Sequence, residues 1–597
     1  MELALRKIKN LLVLTPIHET FGKDDKIFFL GAWCNAYSKR KFFKDRKYNF
    51  FKHPYNIDKK KFARDQKYLN KLRKRILNLL TIKLNKLHNV NYSKYEWNII
   101  IGHWITTYTS ILFDRWEIIR LFFLKNKKKK IKVNFIKTRH NYFLSNDNFV
   151  ENFNYSDICN HQLFSYIIEF LNIKNLKVEL ISNFDHAINY NIFPRGKFNK
   201  NIFFYIIKLI NRITFKFAGF ILWYNRLIID GFYSAKVNIK ICAKFMIIPF
   251  NINSFFNVRN FNIINDNNKR DLLDDIKFLP HNNFEKFLIN NIKKYLPMIY
   301  VEKFSSSRSK ILKYTSRKKI IFSQIAYMFN DFYNIWLVEM LKMKSIFFAG
   351  NHGGSLNTQN TIMNSRKEFS KNFITWHKPI DKGDVQLTPL KLVNKNIELR
   401  KDRKNCLIIT HELPRYYYLF TDIPVAENNI YEFLRIKKMM SYLKMEVISS
   451  TIFRNSQDSD WGFKDLVKKD FKNKIKFSLN NNIYDDFKNT KLSICAYPST
   501  PFSESINLNI PSIFFFTKKN WSIHRNFHKL LDDMQNENLY FYDEKLAANH
   551  VNKIWHDVDS WWNKNSVQKV INQCKKDFYK INNDWLNEYN NFFNKFI

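Results

Sequence analysis

Glycine and acidic residues are scarce in this sequence. Of 597 residues only 11 are glycine, and 52 aspartates and glutamates stand against 99 lysines and arginines, which gives a formal net charge of +47. So little glycine excludes a collagen-like chain, and a content of 45% hydrophobic residues excludes an intrinsically disordered one. The chain is therefore expected to fold, and its length calls for two large domains or three smaller ones.

Cysteine pairs and long uncharged runs are also missing. The six cysteines lie far apart and form no spacing typical of zinc ligands, so neither a zinc site nor a disulfide framework is expected. The most apolar region, residues 202–233, is interrupted by Lys208, Arg212, Lys216 and Arg226. A membrane span needs about 18 to 20 uncharged residues. The sequence predicts a cytoplasmic protein, with at most a peripheral contact at the inner face of the membrane.

The positive charge is dispersed along the whole chain. Lysine, asparagine, isoleucine and phenylalanine are frequent even in expected loops, which is typical of an A/T-rich genome, and no compact nucleic-acid-binding motif accompanies the lysines. The densest basic run, residues 125–132, is interpreted as a solvated loop. No specific nucleic acid is therefore expected as a partner, whereas an anionic membrane surface remains a candidate.

Short apolar runs bounded by turn residues predict buried parallel strands. They cover residues 11–15 and 27–31. Further strands are predicted at 345–349, 406–410, 446–449, 492–496 and 512–516, and strand-like segments lie at 131–136 and 176–181. Apolar residues spaced by three and four predict helices over residues 69–87, 97–112 and 325–341. Strands that alternate with helices predict an α/β fold with parallel sheets.

A polar stretch over residues 378–404 separates two series of strands. It predicts two α/β domains, with an N-terminal, acceptor-side domain over residues 1–390 that carries helical insertions. The C-terminal domain, residues 391–597, is expected to bind the nucleotide of a donor. The helices that end the chain after residue 547 are candidates to pack back onto the first domain.

The most informative motif follows the third strand of the second series. Thr500 is expected to cap a helix that starts at Pro501, because the missing N–H of proline needs no partner at the first helical position. The positive end of that helix, beside the hydroxyls of Ser499 and Thr500, predicts a binding site for phosphate. Glu504, about one turn further, is placed to reach ribose hydroxyls. A capped helix that binds nothing is the alternative.

A second motif, His352-Gly353-Gly354, follows the predicted strand at residues 345–349. Two glycines at a strand end let the backbone approach a ligand closely. The histidine is a candidate for a catalytic base or for a hydrogen-bond donor to phosphate. A structural histidine is the alternative.

His411, Arg415 and Arg454 also lie at the ends of predicted strands. Ligands of open α/β sheets bind at the carboxyl ends of the strands. Arg415 is a candidate to pair with a phosphate. For each of the three residues a salt bridge or hydrogen bond that supports the fold is the alternative.

Further motifs are spread over nearly the whole chain. They are Leu30-Gly31-Ala32-Trp33-Cys34, His53-Pro54-Tyr55, Leu84-Asn85 with His88, Tyr95-Glu96-Trp97, Ile101-Gly102-His103-Trp104, Asp114-Arg115-Trp116, Pro414-Arg415-Tyr416, Asp460-Trp461-Gly462, Ala547-Ala548, Ile554-Trp555, Asp557-Val558 and Trp561-Trp562. Together with the motifs above, they resemble a family of transferases encoded in bacterial O-antigen and other surface-polysaccharide loci. That family is similar to capsule-type sugar and polyol-phosphate transferases.

The resemblance implies a GT-B-like architecture, two Rossmann-like domains that face each other across a cleft. It implies that the serine-rich turn, Glu504 and Pro511 hold the nucleotide of an activated sugar. It further implies that neither a metal nor another cofactor is needed, since a helix dipole and basic side chains stabilise the leaving phosphate. The sequence departs from the family pattern at Asn351, where glutamine is expected, at His103, where proline is expected, and at Leu356-Asn357, where Tyr-Gly is expected.

The sequence thus predicts a glycosyltransferase that moves a sugar from a nucleotide-sugar donor to a glycan or glycolipid acceptor in O-antigen or other surface-polysaccharide biosynthesis. His352 is the predicted catalytic residue, and the predicted binding residues are Gly353, Gly354, His411, Arg415, Arg454, Ser499, Thr500, Ser503 and Glu504. A polyol-phosphate transferase of the same fold is the closest alternative. A non-catalytic basic scaffold for membrane or nucleic acid is the alternative from another class.

Overall fold

The computed structural model describes most of the chain: residues 11–23, 26–137, 142–181, 202–257, 269–273, 277–353, 368–370, 372–393, 397–417, 419–420 and 423–596. Of residues 202–204 and 206–208 it describes the backbone alone. Three parallel β-sheets, with 5, 5 and 6 strands, follow one another along these residues. The predicted α/β fold with parallel sheets is confirmed.

The first sheet is built from strands β1 Leu11–Val13, β2 Lys26–Phe29, β3 Lys47–Phe50, β4 Ile131–Ile136 and β5 Leu176–Ile181. Their order is β3-β2-β1-β4-β5, and every pair is parallel. With its first strand in the middle, the sheet reverses its strand order between β1 and β4, as doubly wound nucleotide-binding sheets do.

Two long helices, Lys59–His88 and Lys94–Lys125, connect β3 to β4 and pack on each other. The second helix begins with a capping box, in which the Ser93 hydroxyl accepts from the Glu96 N–H at 3.2 Å and the Glu96 carboxylate accepts from the Ser93 N–H at 2.6 Å. Its buried residues lie on all sides, so this helix is enclosed by protein. The other α-helices of this region are Pro54–Ile57, Asn146–Tyr155 and Asp157–Leu171.

The second sheet contains β6 Leu227–Asp230, β7 Ile320–Ser323, β8 Ile346–Gly350, β9 Asn372–Thr375 and β10 Asp384–Gln386, in the order β10-β9-β8-β7-β6. Strand β10 lies inside the stretch that was expected to be a linker. The described α-helices of this region are Ile202–Lys216, Ala218–Tyr224, Ala235–Phe245, Ile252–Phe255, Asn283–Tyr295, Phe304–Leu312, Ala326–Phe329 and Asp331–Lys342. The predicted strands at 27–31 and 345–349 therefore belong to different sheets. The region predicted as one N-terminal domain, residues 1–390, contains two sheets.

The third sheet contains β11 Asn405–Thr410, β12 Thr451–Asn455, β13 Lys476–Phe477, β14 Thr490–Cys495, β15 Ser512–Phe515 and β16 Tyr540–Phe541. Its order, β13-β12-β11-β14-β15-β16, is the 3-2-1-4-5-6 order of dinucleotide-binding folds, with the switch point between β11 and β14. The described α-helices that accompany it are Glu427–Ser441, Met445–Ser449, Phe463–Asp470, Ile483–Phe487, Thr500–Asn507, His528–Asn536, Glu544–Ile554 and Val558–Trp562.

One predicted strand is wrong. Residues 446–449 form the helix Met445–Ser449, and the strand follows at Thr451–Asn455. Both Val447 and Ile448 are buried in that helix. A run of four residues is too short for its period to separate a strand from a helical turn.

The last helices return to the second sheet. The helix Asn565–Phe578 packs beside Thr500–Asn507, and the final helix, Trp585–Phe593, covers one face of the second sheet. The ring of Phe593 lies 6.2 Å from that of Phe322 and 5.9 Å from that of Phe348, between ring centroids. The end of the chain therefore ties the third sheet to the second.

Within the described ranges, no helix combines the length and the hydrophobicity needed to cross a membrane.

Replacing Phe593 by alanine is expected to lower the free energy of unfolding by about 3–5 kcal/mol, since it removes a buried ring from a packed aromatic cluster. Urea denaturation followed by circular dichroism measures the change. Leu479→Ala is the control, because Leu479 is 95% exposed and its loss should cost less than about 0.5 kcal/mol. Equal stability of Phe593→Ala and the parent protein would mean that the last helix is not held on the second sheet.

Candidate functional site

Three loops meet at the switch point of the third sheet. His411 follows β11, Ser456 follows β12, and Tyr497 follows β14. The Nδ1 atom of His411 is hydrogen-bonded to the Ser456 hydroxyl, and its ring lies 5.5 Å from that of Tyr497 between centroids. The predicted residue His411 thus lies at the edge where such sheets bind their ligands.

The charge of His411 is limited by its surroundings. Burial lowers its pKa to about 4, because desolvation disfavours the imidazolium ion. The ring is therefore neutral at pH 7. It can exchange a hydrogen bond with a ligand, but it does not supply a positive charge to a phosphate.

The serine-rich turn starts a helix, one residue earlier than expected. Ser499 is the N-cap residue, the helix runs over Thr500–Asn507, and Pro501 lies in its first turn. Thr500 was predicted as the cap, which is wrong. The prediction assumed that Pro501 occupies the first helical position, but none of the first-turn amides has a partner within a helix, so proline fits the second position equally well. No amide of this helix donates a capping hydrogen bond to the Ser499 hydroxyl among the described residues.

The loop after β8 touches this helix. A Cβ atom added to Gly353 would lie 2.8 Å from the Thr500 Oγ1 atom, which is closer than nonbonded atoms pack. The His352-Gly353 loop of the second sheet and the helix start of the third sheet therefore meet. Gly354, the next predicted residue, lies outside the described residues, as do Leu356 and Asn357.

His352 itself is half-buried at the carboxyl edge of the second sheet. Its ring lies 6.5 Å from that of Phe232, which follows β6. The Gln324 amide, just after β7, donates to the Asn351 carbonyl at 2.9 Å. Gly231 leaves room for Gln324, since a Cβ atom there would lie 2.0 Å from the Gln324 Oε1 atom. The ends of three neighbouring strands are thus fixed around His352.

Glu504 connects the helix Thr500–Asn507, the candidate phosphate-binding helix, to two other segments. Its Oε1 atom accepts a hydrogen bond from the Tyr484 hydroxyl at 3.1 Å and lies 3.2 Å from the Lys391 Nζ atom. The Asn507 side chain donates to the Leu392 carbonyl at 3.3 Å. Ribose recognition by Glu504 stays a prediction, and ribose hydroxyls would share this carboxylate with Lys391. Sequence reasoning missed Lys391, because it lies in a lysine-rich polar stretch for which no strand was predicted.

Two further serines, Ser503 and Ser456, lie in the helix Thr500–Asn507 and directly after β12. Ser503, one of the predicted binding residues, is buried within the same helix as Glu504. Ser456 directly follows β12 and was not predicted, because the strand before it was expected at residues 446–449, so the strand-end rule was applied too early in the chain.

Arg454 points its guanidinium at the neighbouring loop. Its Nη1 atom lies 2.6 Å from the Asp486 carboxylate and donates to the Ser478 hydroxyl at 3.0 Å and to the Asn480 carbonyl at 2.8 Å. Its Nη2 atom donates to the Asn481 carbonyl at 3.1 Å. These bonds hold the loop after β13, and nucleotide binding by Arg454 stays a prediction.

Arg415 lies in a buried polar network between the first and third sheets. Its Nη2 atom pairs with the Asp157 carboxylate at 3.0 Å, and its Nη1 atom donates to the Trp33 carbonyl at 3.0 Å. The Tyr416 hydroxyl donates to the same Asp157 oxygen at 2.7 Å. Arg415 is 3% exposed and Asp157 1% exposed. Binding of a phosphate by Arg415 would require this network to open.

A second buried cluster continues the network. The Asp114 carboxylate lies 2.9 Å from the His53 Nε2 atom and accepts from the Arg115 Nη1 atom at 2.8 Å. Arg115 also donates to the Tyr417 carbonyl and, at 3.0 and 3.1 Å, to the Asn160 side chain. Several of the motifs that carry the family resemblance therefore meet in one place between the two sheets.

The Asp460-Trp461-Gly462 motif joins the same two sheets. The Asp460 carbonyl accepts from the Tyr37 N–H at 2.8 Å, and its carboxylate accepts from the Ser38 N–H and hydroxyl at 2.8 and 2.7 Å. Gly462 has a positive φ of 76°, and a Cβ atom there would overlap the Tyr37 ring at 2.2 Å. This position needs glycine for its conformation and for the close approach of Tyr37.

Metal-binding side chains are not grouped in the described ranges, where no three His, Cys, Asp or Glu residues lie close enough to hold an ion. All six cysteines carry free thiols. A mechanism without metal or cofactor stays a prediction.

Arg415→Met is expected to destabilise the protein by about 3–5 kcal/mol, because it leaves the buried Asp157 carboxylate without its cation. The double variant Asp157→Leu/Arg415→Met removes both charges and should recover at least half of that loss. Urea denaturation of the parent and both variants measures the difference. A single variant as stable as the parent protein would show that this ion pair does not hold the two sheets together.

Of the comparisons with known proteins, the match to a family model covers the most of this chain. The comparison with curated proteins gives no match. Among solved structures, the wall teichoic acid polymerase TagF is similar, with 10% sequence identity, a TM-score of 0.26, and coverage of 49% of this chain and 84% of that one. This likeness is too weak to carry an argument. The model of the LIC12162 family transferase matches residues 10–593, so the chain belongs to the LIC12162 family of transferases.

Proposed function

We propose that this transferase is a glycosyltransferase of the GT-B type that moves a sugar from a nucleotide donor to a surface-polysaccharide acceptor. The observation that carries the proposal is the contact between Gly353 and Thr500. It brings the carboxyl edge of one parallel sheet against the carboxyl edge of another, and the motif on each edge has the chemistry that such a reaction needs. Membership in a transferase family supports the same conclusion.

The donor phosphates bind at the start of the helix Thr500–Asn507. The positive end of the helix dipole and the hydroxyls of Ser499 and Thr500 favour negative charge there. The same groups stabilise the phosphate as it leaves, without a metal. Glu504, further along the helix, accepts hydrogen bonds from the ribose, and neutral His411 offers one more hydrogen bond from the neighbouring strand end.

His352 acts as the base toward the acceptor. It removes the proton from an acceptor hydroxyl, whose oxygen forms a bond to the anomeric carbon while the bond from that carbon to the phosphate oxygen breaks. The nucleotide leaves with the electron pair. An imidazole suits this role because it ordinarily titrates near neutral pH.

A polyol-phosphate transferase is the second candidate, favoured by the same contact between Gly353 and Thr500. The His352 loop lies close to the proposed phosphate site. In this alternative, His352 acts beside the phosphorus atom of the donor, and the group transferred is a polyol phosphate instead of a sugar. Thermal stabilisation by UDP-, GDP-, CMP- and CDP-linked sugars and polyols separates the two, since a ligand bound by the native state raises the melting temperature with its concentration. A scaffold without catalysis would respond to none of them.

Replacing Ser499 and Thr500 together by alanine is expected to weaken binding of the stabilising nucleotide by about 1–3 kcal/mol, the scale of hydrogen bonds to a charged group. Isothermal titration calorimetry measures the affinity. Folding should lose no more than about 1 kcal/mol, the scale of a helix cap. Ser93→Ala is the matched control, because it removes a capping hydroxyl from another helix and should leave nucleotide affinity unchanged. Unaltered affinity in the double variant would place the phosphates elsewhere.

His352→Ala is expected to lower turnover by about 10²- to 10⁴-fold with little change in donor affinity, because a base acts in the transition state. His352→Gln keeps a hydrogen-bonding group but accepts no proton, so it should be equally slow. Steady-state rates and nucleotide titration together test this, with the exposed His556→Ala as control. Parallel losses of affinity and rate in His352→Ala, both restored in His352→Gln, would assign His352 to phosphate binding instead.

A further inference from the structure

An apolar stripe is exposed along two consecutive helices, Ile202–Lys216 and Ala218–Tyr224. It consists of Leu209, Ile213, Phe217, Phe220 and Trp223, which are 58%, 50%, 60%, 56% and 53% exposed. Leu209 and Ile213 lie four residues apart on the first helix, Phe220 and Trp223 lie three apart on the second, and Phe217 stands at the junction. Such spacings place each pair on one helix face.

The opposite side of these helices already packs inward. The ring of Phe215 lies 5.9 Å from that of Phe250 and 5.3 Å from that of Phe255, between centroids, and Ile221 and Leu222 are buried. The apolar stripe is therefore additional to the core. Clustered large apolar side chains on a surface mark a site of contact with something other than water.

Positive charge accompanies the apolar stripe. Residues 202–229 contain no aspartate or glutamate, and Arg212, Lys216 and Arg226 are exposed within them. Apolar and aromatic side chains interspersed with lysine and arginine are typical of helices that lie in the plane of a membrane surface.

A second basic segment lies against the end of the stripe. Residues 303–319 contain seven lysines and arginines and no acidic residue. The Arg317 side chain donates to the Tyr224 carbonyl at 2.8 Å, and its guanidinium carbon lies 5.2 Å from the centre of the Trp223 ring. The field around the apolar stripe is therefore positive on this side as well.

We propose that the apolar stripe and the cations beside it dock onto an anionic lipid bilayer. The stripe enters the boundary between headgroups and acyl chains, while the arginines and lysines contact lipid phosphates. A second copy of this chain fits less well, because two stripes face to face would bring their cations together. Nucleic acid would leave the aliphatic members, Leu209 and Ile213, without a partner.

The docked surface lies close to the candidate site. Strand β6 starts at Leu227, three residues after Tyr224, and its four residues span roughly 13 Å. Phe232, whose ring neighbours His352, follows two residues after the end of that strand. Docking would thus hold the His352-Gly353 loop near the bilayer, where a glycolipid acceptor would lie. The docking proposal does not depend on the chemistry of transfer.

Co-sedimentation of the full chain with vesicles tests the proposal. The vesicles are phosphatidylcholine alone and phosphatidylcholine with about one third phosphatidylglycerol, the anionic lipid. The stripe variant carries Phe217→Ser, Phe220→Ser and Trp223→Ser, and the charge variant carries Arg212→Gln, Lys216→Gln and Arg226→Gln. A matched control, Met445→Ser with Leu479→Ser and Leu546→Ser, removes three exposed apolar side chains from the third-sheet region.

The parent protein and the control are expected to bind the anionic vesicles in a salt-dependent way, and both test variants should bind at least about tenfold more weakly. Brominated lipids should quench a part of the tryptophan fluorescence that Trp223→Phe removes. Circular dichroism and urea denaturation verify that the variants fold. Binding that survives in the stripe variant, absence of binding by the parent, or a parent dimer that the stripe variant dissociates would each overturn the proposal.

Discussion

The ion pair between Asp157 and Arg415 is the constraint on which the arrangement of the sheets depends. Both side chains are almost fully buried, and a charge removed from water is tolerated only when another charge and further hydrogen bonds compensate it. Trp33 and Tyr416 supply those bonds, and each comes from a loop at the carboxyl edge of a different sheet. The first and third sheets therefore have one relative position that satisfies the pair. The close approach of Tyr37 to Gly462 is a further contact between these two sheets.

The second sheet is attached by different means. It has no comparable buried ion pair with the third sheet among the described residues. Its links include the partly exposed pair Lys391–Glu504, the close approach of Gly353 to the Thr500 side chain, and the aromatic packing of the last helix. The candidate site lies at this boundary between the second and third sheets. In the proposed transfer, substrates would enter and products would leave between these two sheets, and a boundary without buried charge pairs suits that passage better than one closed by them.

Local patterns in the sequence predicted local structure well. The strand-like segments at 131–136 and 176–181 became β4 and β5 with unchanged bounds, since their alternation of apolar and polar residues has the period of a strand. The run at 446–449 was too short and became a helix. The candidate loops were found because strand ends are visible in a sequence. The pairing of Asp157 with Arg415 was not, because the two residues are 258 positions apart and neither carries a local mark of its partner.

The chain passes between the second and third sheets twice, once after β10 and once before its last helix, and Thr388 joins the two passages. Its N–H and hydroxyl donate to the Glu588 carboxylate at 3.1 and 2.6 Å, its hydroxyl accepts from the Asn582 N–H at 3.0 Å, and its carbonyl accepts from the Tyr589 hydroxyl at 2.9 Å. These hydrogen bonds hold the two crossings side by side. Any rotation of one sheet relative to the other that keeps these hydrogen bonds must therefore have its axis near Thr388.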